Sequence, residues 1–237
     1  MSSSGVGRNS VKIVGNDVYN HAVMVADFEH VPASACGSWP AFWMNGNGTW
    51  PANGEIDIME GINHQQQAQS SIHTSPGCNV TVEAKYGQLG TSGSNSDCGI
   101  GGGYDGCTVF SSSTKSYGDG FNAGGGGVYG LHWNGNEIKV WFFSRANIPA
   151  DIKSGNPNPN VWGTPQASWA GCAFDDYFKN MSFLFNTDFC GTWAGLQWGA
   201  SSYCSPKAAT CNDYVAANPS AFSESYWLIN YVKVFTG

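Results

Sequence analysis

Short runs of alternating apolar and polar residues recur along this chain, and Gly- or Asn-rich segments separate them. Such alternation is typical of strands, whose successive side chains point to opposite faces of a sheet. Residues 10–14 and 21–28 predict two strands joined by a tight turn at residues 15–17. The further predicted strands are residues 36–44, 54–60, 70–74, 128–132, 137–144, 181–186 and 226–235. Many short strands with almost no helix indicate two packed antiparallel sheets, a sandwich or jelly roll.

The other segments predict little regular structure. Residues 77–127 contain few hydrophobic side chains and predict long, crosslinked loops that end in a glycine turn at residues 124–127. Residues 146–171 are rich in Pro and Asn and predict irregular structure, whereas residues 213–218 predict one short helix before Pro219. Since no repeat or linker divides the chain, we expect one domain over residues 1–237.

One predicted strand concentrates acidic residues. The stretch Gly54-Glu55-Ile56-Asp57-Ile58-Met59-Glu60-Gly61 contains three carboxylates, in a chain with only 17 Asp and Glu residues. Strict alternation places Glu55 and Asp57 on one face and Glu60 on the other. A β-bulge, one extra residue at the Ile58–Met59 step, would return Glu60 to the face of the other two. Because like charges this close repel, the cluster indicates chemistry rather than stability.

The spacing of the two glutamates predicts a type of reaction. With the bulge, the Cα atoms of Glu55 and Glu60 lie about four strand steps, or ~13 Å, apart. Two Glu side chains that reach toward each other leave roughly 5–6 Å between their carboxyl groups, which matches glycosidases that retain anomeric configuration. One Glu would attack the anomeric carbon and the other would act first as acid and then as base. Asp57 would raise the pKa of the acid and hydrogen-bond the nucleophile.

Aromatic residues accompany the acidic strand. Trp39, Trp43 and Trp50 precede it, and Trp193 lies among small residues in a later loop. Aromatic faces beside carboxylates suit a sugar, whose C–H faces stack on rings while its hydroxyls take polar hydrogen bonds. Trp43, flanked by two large apolar residues, is predicted to lie in the core instead. His73 should lie near the carboxylates if its strand is adjacent; a hydrogen-bonded His without a catalytic part is the alternative.

The composition favours a neutral ligand and an oxidising compartment. The formal net charge of −7 argues against nucleic acid, whose binding needs Lys and Arg. Eight cysteines without a CxxC pair predict disulfides, with free buried thiols as the alternative. Sequons at Asn47, Asn79 and Asn180 fit a secreted, extracellular glycoprotein. No apolar run is long enough to span a membrane, so we expect a soluble monomer without membrane partner, cofactor or metal.

The acidic stretch resembles the signature of glycoside hydrolase family 16. Other segments resemble the fungal laminarinase-like branch of that family: Cys36-Gly-Ser-Trp-Pro-Ala-Phe-Trp43, Ile72-His-Thr74, Ile138-Lys-Val-Trp-Phe-Phe143 and Cys190-Gly-Thr-Trp-Ala-Gly195. The resemblance implies a curved antiparallel β-sandwich, a concanavalin-like jelly roll, with an open cleft on its concave face. It also implies retaining endo-hydrolysis of β-1,3- or mixed β-1,3/1,4-glucans, and the bulged spacing is typical of this branch.

The same resemblance implies a role for particular residues. It makes Glu55 the nucleophile, Asp57 its partner and Glu60 the acid/base. The residues expected to contact a β-glucan polysaccharide are Trp39, Trp50 and Trp193, which would stack on glucosyl units, and His73 and Arg8, which would border the cleft.

Two questions stay open at this point. Family members have several tens of residues before the segment that starts near Gly7, so this domain is N-terminally short, through either trimming or a true absence of the first strands; an absence would expose an apolar sheet edge. The chain could also be a transglycosylase on the same fold, or a non-catalytic β-glucan-binding lectin. Clustered charge gains nothing against a neutral sugar, which argues against the lectin.

Overall fold

The structure is a computed structural model that describes residues 8–81, 87–101 and 104–236. Its regular elements are mostly strands, as the alternating pattern predicts. In chain order, the described strands are β1 (Val11–Val14), β2 (Ala22–His30), β3 (Ser38–Gly46), β4 (Glu55–Glu60), β5 (Gln69–His73), β6 (Thr91–Ser92), β7 (Ile100–Gly101), β8 (Tyr104–Asp105), β9 (Cys107–Phe110), β10 (Gly127–Trp133), β11 (Glu137–Ser144), β12 (Ala167–Ala170), β13 (Met181–Phe189) and β14 (Leu228–Phe235).

The strands form two antiparallel sheets of a sandwich, which confirms the predicted jelly-roll class. The larger sheet has the order β1-β13-β3-β4-β5-β9-β6, and the smaller has the order β12-β11-β10-β2-β14. Strands β7 and β8 form a separate two-stranded ribbon. The acidic strand β4 lies inside the larger sheet, between β3 and β5. It therefore has ladder partners on both edges, which fixes its position in the fold.

Apolar side chains from both sheets form the core between them. Ile56 and Met59 of the larger sheet and Phe28 and Leu131 of the smaller are at most 1% exposed. The Phe28 ring contacts the Phe42 ring edge to face, with centroids 5.3 Å apart. Burying a side chain of this size contributes about 1.5–3 kcal/mol to stability. The side of the larger sheet that faces the smaller sheet is thus occupied by apolar side chains, and polar groups are left on its opposite side.

The segment 77–127 contains more regular structure than its composition predicts. Strand β9 extends the larger sheet beside β5, where Cys107 pairs with Ile72, and a short helix α1 (Gly118–Ala123) follows. The prediction of loops was wrong here because pairing with β5 on one edge and β6 on the other stabilises a strand of only four residues. Residues 82–86 and 102–103 of this segment lie outside the described residues.

The segment 146–171 was also wrongly predicted to be irregular throughout. It contains helix α2 (Ala150–Ser154) and strand β12, which pairs with β11. Its Ile152 and Trp162 are buried against Val25 and Trp141 on the outer face of the smaller sheet. These tertiary contacts order a stretch whose Pro and Asn content gives no local periodicity.

Two predictions on local connections had opposite outcomes. Strands β1 and β2 are not a hairpin, because β1 pairs with β13 in the larger sheet whereas β2 belongs to the smaller. The predicted late helix is confirmed: after α3 (Phe174–Tyr177), helix α4 spans Cys211–Ala217. Thr210 caps α4 by accepting a hydrogen bond from the backbone N–H of Asp213.

All eight cysteines form disulfides, as predicted, and none is a free thiol. The pairs are Cys36–Cys204, Cys78–Cys172, Cys98–Cys107 and Cys190–Cys211. Two of them fasten the segment 190–211 to the start of β3 and to α4. The crosslinks therefore hold long connections between the strands in place.

The surface of the sandwich has two notable features. The outermost strands expose apolar side chains, with Val11 and Ile13 of β1 61% and 59% exposed and Leu228 of β14 49% exposed. The sequon residues Asn47, Asn79 and Asn180 are exposed, and their glycosylation stays a prediction. Within the described part of the chain, no helix is both long and apolar enough to cross a membrane.

We predict that the disulfides contribute unequally to stability. Cys36–Cys204 joins residues 168 positions apart and Cys98–Cys107 joins residues 9 apart. A crosslink removes more entropy from the unfolded chain when it closes a longer loop. Replacing both members of the first pair by Ser should lower the free energy of unfolding by about 5 kcal/mol, and the same change in the second by about 2–3 kcal/mol. Urea titration measures both; a larger loss from the shorter loop would contradict this explanation.

Candidate active site

The strand β4 contains the predicted β-bulge. Between Asp57 and Glu60, β4 advances by three residues while β5 advances by two, from Ser71 to Gln69. The register of β4 against β3 also shifts by one residue in this region. Ile58 and Met59 are 1% and 0% exposed, so both side chains of the bulge are buried in the core.

The bulge places all three carboxylates on one face. Side chains that pair directly across a ladder lie on the same side of a sheet, and alternate residues of a strand share a face. The partners of Glu55, Asp57 and Glu60 on β3 are Asn45, Trp43 and Ala41, which are alternate residues. Glu60 therefore faces the same side as Glu55 and Asp57, opposite the core.

The acidic strand starts at a position where only glycine fits. Gly54 has φ of +78°, in the left-handed region. A Cβ atom there would lie 2.5 Å from the Phe178 ring and 2.7 Å from the carbonyl oxygen of Tyr177. Because it has no side chain, Gly54 can pack closely against Tyr177 and Phe178 at the end of α3. The next residue, Glu55, is the first residue of β4.

A cleft of about 720 Å³ lies over this face. Glu55, Glu60 and His73 contribute to its floor, and the structure brings three of the predicted tryptophans to it. The lining residues that sequence reasoning singled out are Trp39, Trp50, Glu55, Glu60, His73 and Trp193. Trp50 is 47% exposed, whereas Trp39 is partly buried and contacts Trp193 edge to face, with centroids 5.6 Å apart.

Indole and imidazole groups hydrogen-bond the carboxylates. Trp39 Nε1–H donates to Glu60 Oε1 over 2.7 Å, and Trp50 Nε1–H donates to Glu55 Oε2 over 2.6 Å. His73 Nε2 lies 2.9 Å from Asp57 Oδ2 and 3.9 Å from Glu55 Oε1. His73 Nδ1 is buried and has no hydrogen-bond partner among the described residues, so the proton belongs on Nε2, which donates to Asp57. The predicted proximity of His73 to the carboxylates is confirmed.

Burial makes these carboxyl groups hard to ionise. It is the largest cause that raises the pKa of Glu55 to about 8, and the charge of Asp57 raises it further. Burial also raises the pKa of Asp57 to about 7 and that of Glu60 well above its ordinary value, where the charge of Asp57 adds to the effect. A hydrogen bond between Glu55 and Asp57 raises the first pKa and lowers the second. Glu55 and Asp57 therefore share a proton near neutral pH.

Glu55, Asp57 and His73 also have the composition of a metal-ligand set. One ligand atom from each lies within 4.8 Å of the others. His73 Nε2 is already engaged with Asp57, and the raised pKa values of Glu55 and Asp57 reduce the negative charge that an ion would compensate. These contacts explain the arrangement of the three side chains without an ion, and the absence of a metal stays a prediction.

Two residues lie where the sequence did not place them. Trp43 was predicted to be a core residue, but it shares a face with Asp57, and its Nε1–H donates to Asn186 Oδ1 over 2.7 Å. The alternation of β3 decides its side, which hydrophobicity alone does not reveal. Arg8 does not line the cleft: its Nε–H donates to the carbonyl of Val215, and its guanidinium lies 5.3 Å from the centre of the Phe222 ring.

Sequence reasoning missed one wall of the cleft. Thr108 and Phe110 of β9 line it, with Ile100 from the segment that the Cys98–Cys107 disulfide closes and Asn95 just before that segment. Leu196, 77% exposed, lines it near Trp193. The alternation of residues 107–110 was the available signal, but it is too short to separate a strand from a loop.

The fold and the site define a glycoside hydrolase, and comparison with known proteins identifies the family. The family model described as the XgeA-like, catalytic GH16 domain matches residues 1–235. The chain therefore belongs to glycoside hydrolase family 16, within its XgeA-like group. This match confirms the resemblance to the family that the acidic stretch shows.

Individual relatives are similar over the whole chain. The endo-1,3(4)-beta-glucanase of Arthroderma benhamiae is 41% identical over 239 residues, which cover 98% of this chain and 52% of the relative. A solved elongating GH family 16 beta-1,3-glucosyltransferase has a TM-score of 0.91 and 41% identity, covering 100% of this chain and 80% of that one. Laminarinase 16A from Phanerochaete chrysosporium, solved with 6-O-glucosyl-laminaritriose, has a TM-score of 0.88 and 38% identity over the same shares.

The chain spans only part of the curated relatives that it matches. Its share is about half of the relative from Arthroderma benhamiae, at 52%, and 32% of a probable endo-1,3(4)-beta-glucanase from Aspergillus niger. The similarity therefore concerns one part of these longer proteins.

We predict that the free energy of unfolding falls as the pH rises from 5 to 8. The pKa values of Glu55 and Asp57 are about 8 and about 7 in the folded chain, against about 4 in an unfolded chain. The folded state binds protons that the unfolded chain releases, so this stabilisation is present at acid pH and is lost as the pH passes through the folded values. The Glu55→Gln variant should lose less stability over this window, by on the order of 2 kcal/mol.

Urea unfolding at pH 5 and at pH 8 measures the effect. Glu29→Gln is the matched control, because Glu29 is exposed on β2 and should leave the wild-type pH dependence unchanged. Equal pH dependence in wild type and Glu55→Gln would contradict the prediction.

Proposed function

We propose that this chain is a retaining endo-1,3(4)-β-glucanase domain. The observation that carries the proposal is the bulge of β4, which puts Glu55 and Glu60 on one face of an aromatic cleft with Asp57 between them. The relatives named above support the substrate class, since one is an endo-1,3(4)-beta-glucanase and one is a laminarinase. The substrate is a neutral β-glucan polysaccharide with β-1,3 or mixed β-1,3/1,4 linkages.

In the first step, a carboxylate oxygen of Glu55 attacks the anomeric carbon. The bond from that carbon to the glycosidic oxygen breaks, the leaving oxygen takes the proton of Glu60, and a glycosyl ester of Glu55 forms. Glu55 must be ionised to attack. Its pKa of about 8 exceeds the value of about 7 for Asp57, so the shared proton has to pass from Glu55 to Asp57 before the attack. His73 holds Asp57 in place through its Nε2–H.

In the second step, water replaces the ester. Glu60, now a carboxylate, removes a proton from the water, whose oxygen attacks the anomeric carbon, and Glu55 leaves as a carboxylate. Two inversions at one carbon retain its configuration. The pKa of Glu60 is raised, first by burial, and this favours the protonated form that the first step requires.

The aromatic side chains fit a sugar chain. Trp39, Trp50 and Trp193 surround the carboxylates and are proposed to contact glucosyl units, with His73 at the cleft floor. No such role is proposed for Arg8, whose guanidinium packs on Phe222 and donates to the carbonyl of Val215.

Four disulfides support a secretory route to an oxidising compartment, and we propose that the domain is secreted and monomeric.

Transglycosylation is a second candidate for the same site. A solved relative with 41% identity is an elongating beta-1,3-glucosyltransferase. In such a reaction the hydroxyl of a second sugar, rather than water, attacks the glycosyl ester. Sizing the products of laminarioligosaccharides separates the two, because a hydrolase yields only shorter chains and a transferase also yields longer ones.

We predict that Glu55→Ala abolishes turnover, with a fall of at least about a thousandfold in the release of reducing ends from laminarin, because the nucleophile is lost. Binding of laminarin, measured by affinity electrophoresis, should persist because the tryptophans remain. Glu29→Ala, on the outer surface, is the control. Unchanged hydrolysis by the Glu55 variant would refute the assignment, and wild-type binding without any turnover would favour a lectin.

We also predict that the first product has the β configuration. An NMR time course on laminarin and on barley-type mixed-linkage glucan follows the new anomeric signals before mutarotation. It reports the cleaved linkage and the stereochemistry together. An initial α signal would exclude double displacement.

A further inference from the structure

Each of the two glutamates of the site accepts a hydrogen bond from a different tryptophan. Trp39 donates to Oε1 of Glu60 over 2.7 Å, and Trp50 donates to Oε2 of Glu55 over 2.6 Å. Stacking on sugar uses the faces of an indole ring, whereas these bonds use its edge. Trp39 and Trp50 can therefore act on the glutamates through their Nε1–H groups, in addition to any stacking on sugar.

The Trp39 indole is held more firmly than that of Trp50. Trp193 contacts it edge to face at an interplanar angle of 80°. Gly191 lies against the same ring, where a Cβ atom would be 3.3 Å from Trp39. The Cys190–Cys211 disulfide fixes the segment that contains both neighbours. Trp50, in contrast, is 47% exposed in a loop.

The Trp39 bond distinguishes the two oxygens of Glu60. An indole N–H is a donor and never an acceptor, whereas a carboxylic acid carries its proton on one oxygen only. Since Oε1 accepts from Trp39, it is the carbonyl oxygen of the acid, and the proton lies on Oε2. The described contacts include no other hydrogen bond to Glu60, so Oε2 is left for the substrate.

We propose that Trp39 is a positioning residue that acts through Glu60 and fixes Oε2 as the oxygen that gives and takes the catalytic proton. This inference rests on the proposed function. In the first step the proton moves from Oε2 to the leaving glycosidic oxygen, and the negative charge that develops on Glu60 is met by the Nε1–H at Oε1. In the second step Oε2 accepts a proton from water while the same bond holds Oε1.

The main test compares Trp39→Phe with Trp50→Phe and Trp193→Phe. Phe keeps an aromatic ring and removes the N–H. For Trp39→Phe, kcat/KM on laminarin should fall about ten- to hundredfold, mostly in kcat, because a hydrogen bond to a charged group is lost. The alkaline limb of its pH profile should move to higher pH, since the bond to the ionised acid is gone. Trp50→Phe should move the acid limb instead, and Trp193→Phe should move neither.

An activated substrate separates positioning from stacking. The burst of dinitrophenolate from a 2,4-dinitrophenyl β-laminarioligosaccharide needs no proton from Glu60 in the first step, because this leaving group is already acidic. Its rate in Trp39→Phe should therefore stay within about threefold of wild type. Equal losses on both substrates, or a rise in KM alone, would show that Trp39 only stacks and would overturn the proposal.

A spectroscopic measurement keeps the test independent of activity and of variant folding. In the wild-type chain with ¹⁵N-labelled indoles and ¹³C-labelled Glu carboxyls, the Trp39 Nε1–H signal should shift as Glu60 titrates. A Trp39 signal that ignores the titration of Glu60 would overturn the proposal. Absence of glucan turnover in wild type together with this coupled shift would refute the proposed function while supporting the Trp39 contact.

Discussion

One extra residue in β4 decides which side chains share a face with Glu55 and Asp57. The bulge is held on both edges, by β3 and by β5, and both of its own side chains, Ile58 and Met59, are buried in the core. A slip of one residue would exchange the faces of every following side chain. The apolar core therefore enforces the geometry of the carboxylates: Ile58 and Met59 cannot leave it without a large loss of buried surface.

The same packing sets the acid–base properties of the site. The three carboxyl groups are largely buried at the floor of the cleft. This burial disfavours their charged forms and raises their pKa values. Neutral donors then compensate the charges that remain: two indole N–H groups and one imidazole N–H. The site thus uses tryptophan for two purposes, since the ring faces suit sugar while the ring edges bond carboxylates.

The disulfides connect this chemistry to the periphery of the fold. The segment that contains Trp193 forms no strand, and the Cys190–Cys211 and Cys36–Cys204 bonds hold it beside the start of β3, which contains Trp39. The opposite wall depends in a similar way on Cys98–Cys107. Long connections can therefore shape both ends of the cleft because crosslinks hold them in place, together with a small buried cluster that includes Trp198 and Phe222.

By itself, the sequence determined the two-sheet class, the bulged acidic strand, the nearness of His73 and the oxidation of the cysteines. Those features follow from the alternation of apolar and polar residues, from one extra residue in the acidic stretch and from the even number of cysteines. All three can be read from local sequence or from composition. Only the tertiary structure decided that β9 and β12 are strands, that Trp43 faces the cleft side and that Arg8 packs on Phe222. It also decided which indole bonds which glutamate. These pairings depend on how β3, β4 and the loop between them place the rings, on which alternation along the chain gives no information.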